Sequence, residues 1–229
     1  ILLEKEFNKI NYVFSKKDNK YNFDTKLDLN ETSLKVDFIN YKNNKKLNTK
    51  LKILGDYTKR DGFYFKEINL LEQDNKVLIN NLLISKKNKI IKVDKVDMSY
   101  NDISNKKNKF ILNRIKKNDY ELNGSLFNAN SLISDLLKSK DDKESKIFKN
   151  DINLTLNLSD VYIDDENMVK NLNGNLKIKN NKVVQANISA LFEINEKLTF
   201  SINTNDGEKI TTLFSSRAKP LVKRYKFIK

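Results

Sequence analysis

Reactive side chains are scarce in this chain. The groups able to trade protons at close quarters are acidic pairs such as Asp164 with Asp165. General acid and base work needs two carboxyls converging on one substrate, and neighbours on a strand point to opposite faces, so that pair does not converge if the strand runs through it. Asp141, Asp142 and Glu144 could be imagined around a hard cation, but they sit in a Lys-rich stretch that reads as a solvated charge run. The sequence holds no cysteine and no histidine. Thiol nucleophiles, Cys/His metal centres and Ser-His or Cys-His couples are thereby excluded from this segment. The reading is non-enzymatic, with no cofactor and no metal, and any function must come from surface chemistry.

The formal charge of +14 invites a nucleic-acid partner, since clustered Lys and Arg displace counterions from phosphates. The distribution speaks against one. Arg60, Arg114, Arg217 and Arg224 are the only arginines, and the lysines are spread through every turn among Asp, Glu and abundant Asn. No apolar run approaches the ~18 residues that span a bilayer as a helix. The chain opens on Ile1 and stops on Lys229 within a helical pattern, which suggests a piece of a longer polypeptide.

The elements that would carry a working surface are strands. Tyr21, Phe23, Thr25, Leu27 and Leu29 alternate with Asn22, Asp24, Lys26 and Asp28, placing the apolar groups on one face. Leu34, Val36 and Phe38 repeat the rhythm, as do Leu47, Thr49, Leu51 and Ile53, and looser runs cover 63–71, 77–84, 90–98 and 110–115. With five Gly and one Pro in 229 residues, asparagine must supply the turns, because it tolerates positive φ better than other non-glycine residues. From Asn128 the period changes. Leu132, Ile133, Leu136 and Leu137 form a short helical stripe, followed by a charged linker to about residue 148. Strands resume at Ile152, Leu154, Leu156 and Leu158, then at 172–178, 184–192, 198–202 and 210–214. Ala218, Leu221, Val222 and Tyr225 make a second helical stripe after Ser215 and Ser216. Gly124 and Gly174 fall inside strand patterns, where they signal bulges or bends.

The expected fold is therefore mainly β: a long, curled antiparallel meander, open as a groove or sandwich-like, with two short helices. Its expected divisions are a β-rich meander over 1–127, a helix and linker over 128–148, and a second meander over 149–229 ending in a truncated helix.

The stretch "VKNLNGNLKIKNNKVVQANISALF" (Val169 to Phe192), followed by "KLTFSIN" (Lys197 to Asn203) and "ITTLFSSRAKPLVKRYKFI" (Ile210 to Ile228), resembles the AsmA-like C-terminal region of YhdP-type bacterial envelope proteins. Upstream, "YELNGSLFNANSLISDLL" (Tyr120 to Leu137) looks like that family's strand entering a helix, with Asn128 where an acidic residue is usual. Ser216 and Arg217 stand where the family has an acidic pair, and Lys219 or Pro220 where it has a helix glycine. The resemblance implies a periplasmic protein tethered to the inner membrane by an upstream segment. It also implies an apolar β-groove for phospholipid acyl chains in transit to the outer membrane, in support of outer-membrane assembly. The groove-lining candidates are Leu154, Leu156, Leu158, Leu176, Ile178, Ile188, Phe192, Phe200 and Ile202. The alternative is a structural or adhesive β-repeat protein of the cell surface, in which the same residues fill a closed core.

Overall fold

The computed structural model describes residues 2–3, 9–29, 33–44, 46–130, 150–180, 182–193, 195–205, 208–219 and 221. They fall into two compact units that divide between Arg114 and Ile115.

Unit one contains β1 (Leu2–Leu3), β2 (Lys9–Lys17), β3 (Lys20–Asp28), β4 (Leu34–Val36), β5 (Tyr41–Lys42) and β6 (Thr49–Thr58). It continues with β7 (Gly62–Glu72), β8 (Asn75–Ile84), β9 (Ile90–Lys92), β10 (Lys95–Asn101) and β11 (Lys107–Arg114). Its main sheet runs in the order β2-β3-β6-β7-β8-β10-β11, with β9 paired to the end of β8. All of these pairings are antiparallel. A second sheet, β1-β4-β5, interrupts the hairpin sequence between β3 and β6. It forms a flap with a single 3-10 turn, Asp37–Ile39, between β4 and β5.

Unit two contains β12 (Asp119–Asn128), β13 (Ile152–Tyr162), β14 (Met168–Lys179), β15 (Lys182–Leu191), β16 (Lys197–Asn205) and β17 (Glu208–Ser215), paired in that order. The last four pairings are antiparallel hairpins, whereas β12 and β13 run parallel. A parallel pair needs a crossover of a dozen residues or more, and residues 129–151 are long enough to provide it.

The tight turns use residues in the left-handed region, including Asn88 (φ 56°), Asn105 (φ 57°) and Asn180 (φ 51°). Two asparagines adopt it inside strands instead. Asn81 (φ 53°) lies within β8 and Asn171 (φ 51°) within β14. The register shifts beside Asn171, between Lys170 and Asn173, and in unit one it shifts between Leu54 and Gly55. Each irregularity reverses the alternation, as a bulge must. In β13 the buried positions pass from Leu156 and Leu158 to Val161. Val161 and Val169, which pair, thereby join Leu158 in one core.

The expected fold class is corrected in three respects. The strand order in each unit is linear and open, not a curled trough, and one strand pair is parallel. Among the described residues the one complete helical element is the 3-10 turn, and helical conformation is otherwise confined to Asn130, Lys219 and Leu221. The stripe Leu132, Ile133, Leu136 and Leu137, and Val222 with Tyr225, lie outside the described residues. So do Asp141, Asp142 and Glu144. Alternation reports which face of a strand is apolar; it says nothing about whether a neighbour runs parallel or whether two edges approach, which explains the first two misses.

Candidate functional site

The nine nominated residues share one face of unit two. The pairings set Leu154 beside Leu176, Leu176 beside Ala186, and Ala186 beside Ile202. The next row sets Leu156 beside Gly174, Gly174 beside Ile188, and Ile188 beside Phe200. Ile178 pairs with Ile152 at one end, and Phe192 follows β15 at the other. The row through Gly174 is close-packed. A Cβ there would sit 2.3 Å from the Asn187 carbonyl oxygen and 2.8 Å from the Ile188 Cα, so only glycine lets β15 approach this closely. Gly124, the other strand glycine, pairs with Leu158 in β13.

The two ends of this face differ. Leu158, Val161, Ile163, Val169, Ala190 and Phe192 pack with Ala129 as a buried core, with Phe192 only 2% exposed. Leu154, Leu176, Ile178, Ile188 and Phe200 are partly exposed. The opposite face is uncharged over its centre: Asn153, Thr155, Asn157, Asn173, Asn175, Asn187 and Ser189 are exposed, and the Thr155 hydroxyl donates to Asn175 at 3.1 Å.

Unit one carries a larger apolar face, none of which belongs to the nominated set. Pairing aligns Leu27, Leu51, Leu70, Val77, Met98 and Phe110 across six strands. The next row aligns Thr25, Ile53, Ile68, Ile79, Val96 and Leu112 across the same strands. In the first row all but Leu27 are buried; every member of the second is partly exposed. Beyond them the bulge at Gly55 and Asn81 turns Phe23, Phe65 and Leu82 onto the same side. A Cβ on Gly55 would meet the Tyr64 carbonyl oxygen at 2.3 Å and the Phe23 ring at 2.9 Å, so the phenyl occupies the space glycine leaves.

The face ends in a ladder of rings. Centroids lie 5.8 Å apart for Phe14 and Tyr21, 6.2 Å for Tyr21 and Tyr57, 4.7 Å for Tyr57 and Phe63, and 5.9 Å for Phe63 and Phe65. Such offset and tilted pairs add modestly to simple burial. On β2, Tyr12 and Phe14 are 73% and 59% exposed, so apolar surface continues to the outermost strand. A shallow depression of about 420 Å³ beside β2 is lined by Ile10, Asn11, Tyr12, Val13, Asp24 and Lys26. Its walls come from both sides of the strand, which makes it a feature of the edge. The back of this sheet is charged and paired, with Lys20–Asp56 at 3.0 Å, Lys52–Glu67 at 3.1 Å and Lys76–Asp97 at 3.2 Å.

At the other end the flap is clamped down by a buried carboxylate. Glu72, 1% exposed, accepts hydrogen bonds from the Tyr41 hydroxyl (2.9 Å), the Thr49 hydroxyl (3.0 Å), the Asn44 amide (2.7 Å) and the Asn75 side chain (2.9 Å). The Tyr100 hydroxyl donates to the Ile39 carbonyl at 2.8 Å, and its ring meets Tyr41 edge-on. Burial, then the hydrogen bond and charge of Glu72, hold the Tyr41 phenol protonated well above the usual tyrosine range. Burial and then the charge of Asp102 do the same for Tyr100. The sequence signal for this clamp was slight, a single Glu at a position the alternation assigns to the apolar side.

The acidic pair is structural. Asp164 accepts from the amides of Glu166 (2.8 Å) and Asn167 (2.7 Å), closing the turn after β13, and Asp165 accepts from the Asn130 side chain at 2.8 Å. No cluster of acidic side chains able to hold a metal ion occurs among the described residues. None of their helices is long and apolar enough to cross a membrane. Compared with protein-family models, with curated proteins and with solved structures, the chain matches none.

Proposed function

We infer that this chain is a non-enzymatic lipid-binding segment of a bacterial envelope protein. In this reading the apolar sheet faces carry phospholipid acyl chains between inner and outer membrane, in the periplasm, with the inner-membrane tether in a segment upstream. The supporting observation is the face of unit one. Two successive rows, apolar but for Thr25, run from β11 to β3, and a third row and a ring ladder carry the apolar surface on from β8 to β2. Within that unit the described residues of the flap dock at one end only. Burying each methylene of an acyl chain is worth about 0.8 kcal/mol, so a chain laid along the Ile53, Ile68, Ile79 row is retained without a specific polar contact. The resemblance of residues 120–137 and 169–228 to AsmA-like proteins is the second support, and the envelope location is what that resemblance implies. Leu154, Leu176, Ile188 and Phe200 extend the lipid-contacting set into unit two, whereas Leu158 and Phe192 act as packing.

A structural or adhesive protein with a dry core is the competing reading, favoured locally by the buried cluster around Val169. A photoreactive amino acid at Ile68 or Ile79, and separately at Ile188, decides between them. Crosslinking to phospholipid in cells, with lipid found by mass spectrometry of the purified chain, is the expected result. Replacing the partly exposed Leu176 and Phe200 together by Asp should remove the crosslink from the probe at Ile188 while the protein stays folded. Absence of any lipid adduct at all three positions would falsify the reading.

A further inference from the structure

Lysines that look scattered in the sequence are gathered at one end of unit one. The turns joining β2 to β3, β6 to β7 and β8 to β9 lie side by side, because Lys17 pairs with Lys20, Lys20 with Thr58, Thr58 with Gly62, Phe63 with Ile84, and Ile84 with Ile90. Exposed Lys16, Lys17, Lys59, Arg60, Lys86 and Lys87 project from these three turns. The acids among them are Asp18 and Asp61, the latter paired with Arg60 at 3.1 Å. The ring ladder Phe14, Tyr21, Tyr57 and Phe63 lies immediately inside the same end, and the Lys16 ammonium stands 5.6 Å from the Tyr21 ring centroid. Phe63 is itself exposed. The flap end also carries exposed lysines, among them Lys42, Lys46 and Lys107, but it has more acids to offset them and, among the described residues, no ring ladder beside them. Lys35 is paired there with Asp37 at 2.6 Å, and Glu72, Asp74 and Asp102 lie at the same end.

An apolar surface, then an aromatic belt, then a basic rim is the order of chemistry across a membrane interface from hydrocarbon to anionic headgroups. We propose that this end of unit one docks on the surface of a bilayer containing anionic phospholipid, the basic rim meeting the headgroup phosphates and the ring ladder lying at the level of the glycerol backbone. The acyl-binding reading is needed only for the step after docking, in which a lipid tail passes from the ladder onto the partly exposed row of Ile53, Ile68 and Ile79. Surface recruitment itself stands on charge and rings alone.

The test is flotation of the whole chain with vesicles of phosphatidylcholine, or of equal parts phosphatidylcholine and phosphatidylglycerol. Wild-type protein should float with the mixed vesicles, and less so as salt is raised. The triple variant K16E/K59E/K86E should bind about tenfold or more weakly, since each lysine near an anionic surface contributes on the order of 1 kcal/mol. The control K42E/K46E/K107E, at the flap end, should bind as wild type does. All six positions are exposed, and circular dichroism with thermal melts confirms that both variants fold. Equal binding to both vesicle types, or equal loss in the two variants, overturns the proposal. So does competition by inorganic phosphate, which would mark a site for free phosphate, or tighter rim-dependent retention of an oligonucleotide. Failure here with lipid crosslinking at Ile68 intact leaves acyl binding standing and removes only the docking end.

Discussion

The two units solve one problem with different chemistry. Both build a one-sided sheet, both reverse its alternation with an asparagine in the left-handed region inside a strand, and both set a glycine nearby where strands close up. Unit one then lines its apolar side with Phe, Tyr, Ile and Leu, pairs charges on the back and anchors a flap through Glu72. Unit two uses Leu, Ile and Ala against an Asn, Ser and Thr back and concentrates its burial at one end. A sheet face can thus be made apolar without being sealed; what seals it is local, a flap in one unit and a packed corner in the other.

The largest expected break in this comparison is Glu72→Ala. It orphans two buried donors, the Tyr41 and Thr49 hydroxyls, each costing about 1–3 kcal/mol, and two part-buried ones that water can reach, so unit one should lose at least about 2 kcal/mol. Hydrogen exchange read by mass spectrometry, which resolves β4 to β7 from β13 to β16, should show loss of protection confined to unit one. Equal loss in both units would mean that the clamp is not local.

Gly174→Val comes next and tests unit two. The added atoms meet the backbone of Asn187 and Ile188, and overpacking of this kind costs about 1–3 kcal/mol. Urea denaturation should report it as a lower midpoint, with Gly55→Val giving a similar effect in unit one.

A smaller, pH-dependent difference arises from the phenols. The fold holds Tyr41 and Tyr100 neutral, and in the unfolded chain a tyrosine ionises near pH 10. Their contribution is complete below that value, because neither state is ionised there. It is lost progressively as pH rises beyond it, where only the unfolded chain gives up its protons. Stability of unit one measured across pH 9 to 12 should therefore fall on the alkaline side, and Tyr100→Phe should flatten the slope. An unchanged slope would remove these phenols from the explanation.

Smallest of all, Lys52→Ala, which breaks a partly exposed pair with Glu67, should change stability by less than about 1 kcal/mol. A larger loss would show that the charged back of unit one is a stabilising network.

Much of the strand content was legible because alternation is a local property. Residues 152–158 announce a buried and a solvated side within a few residues, and the structure keeps that assignment; in 21–29 pairing keeps the apolar residues on one face, but both faces of the strand are half-buried. The candidate face in unit two could be read for the same reason. Unit one's larger face could not, since bulges near Gly55 and Asn81 reverse the parity midway and make its strands look irregular in one dimension. The flap broke the expected meander too: Leu34 and Val36 alternate as any strand does, but they pair with β1 and β5.

By itself the amino-acid sequence determined that this protein is built from amphipathic strands turned by asparagine, and that it lacks thiol and imidazole chemistry; both come from residue type and short-range period. Tertiary structure alone decided that β12 and β13 run parallel, that Glu72 gathers four donors from separate segments, and that lysines from three turns line up along one edge. Those outcomes depend on which strands become neighbours and in what register, and the free energy that selects a neighbour is spread over contacts between residues far apart in the chain.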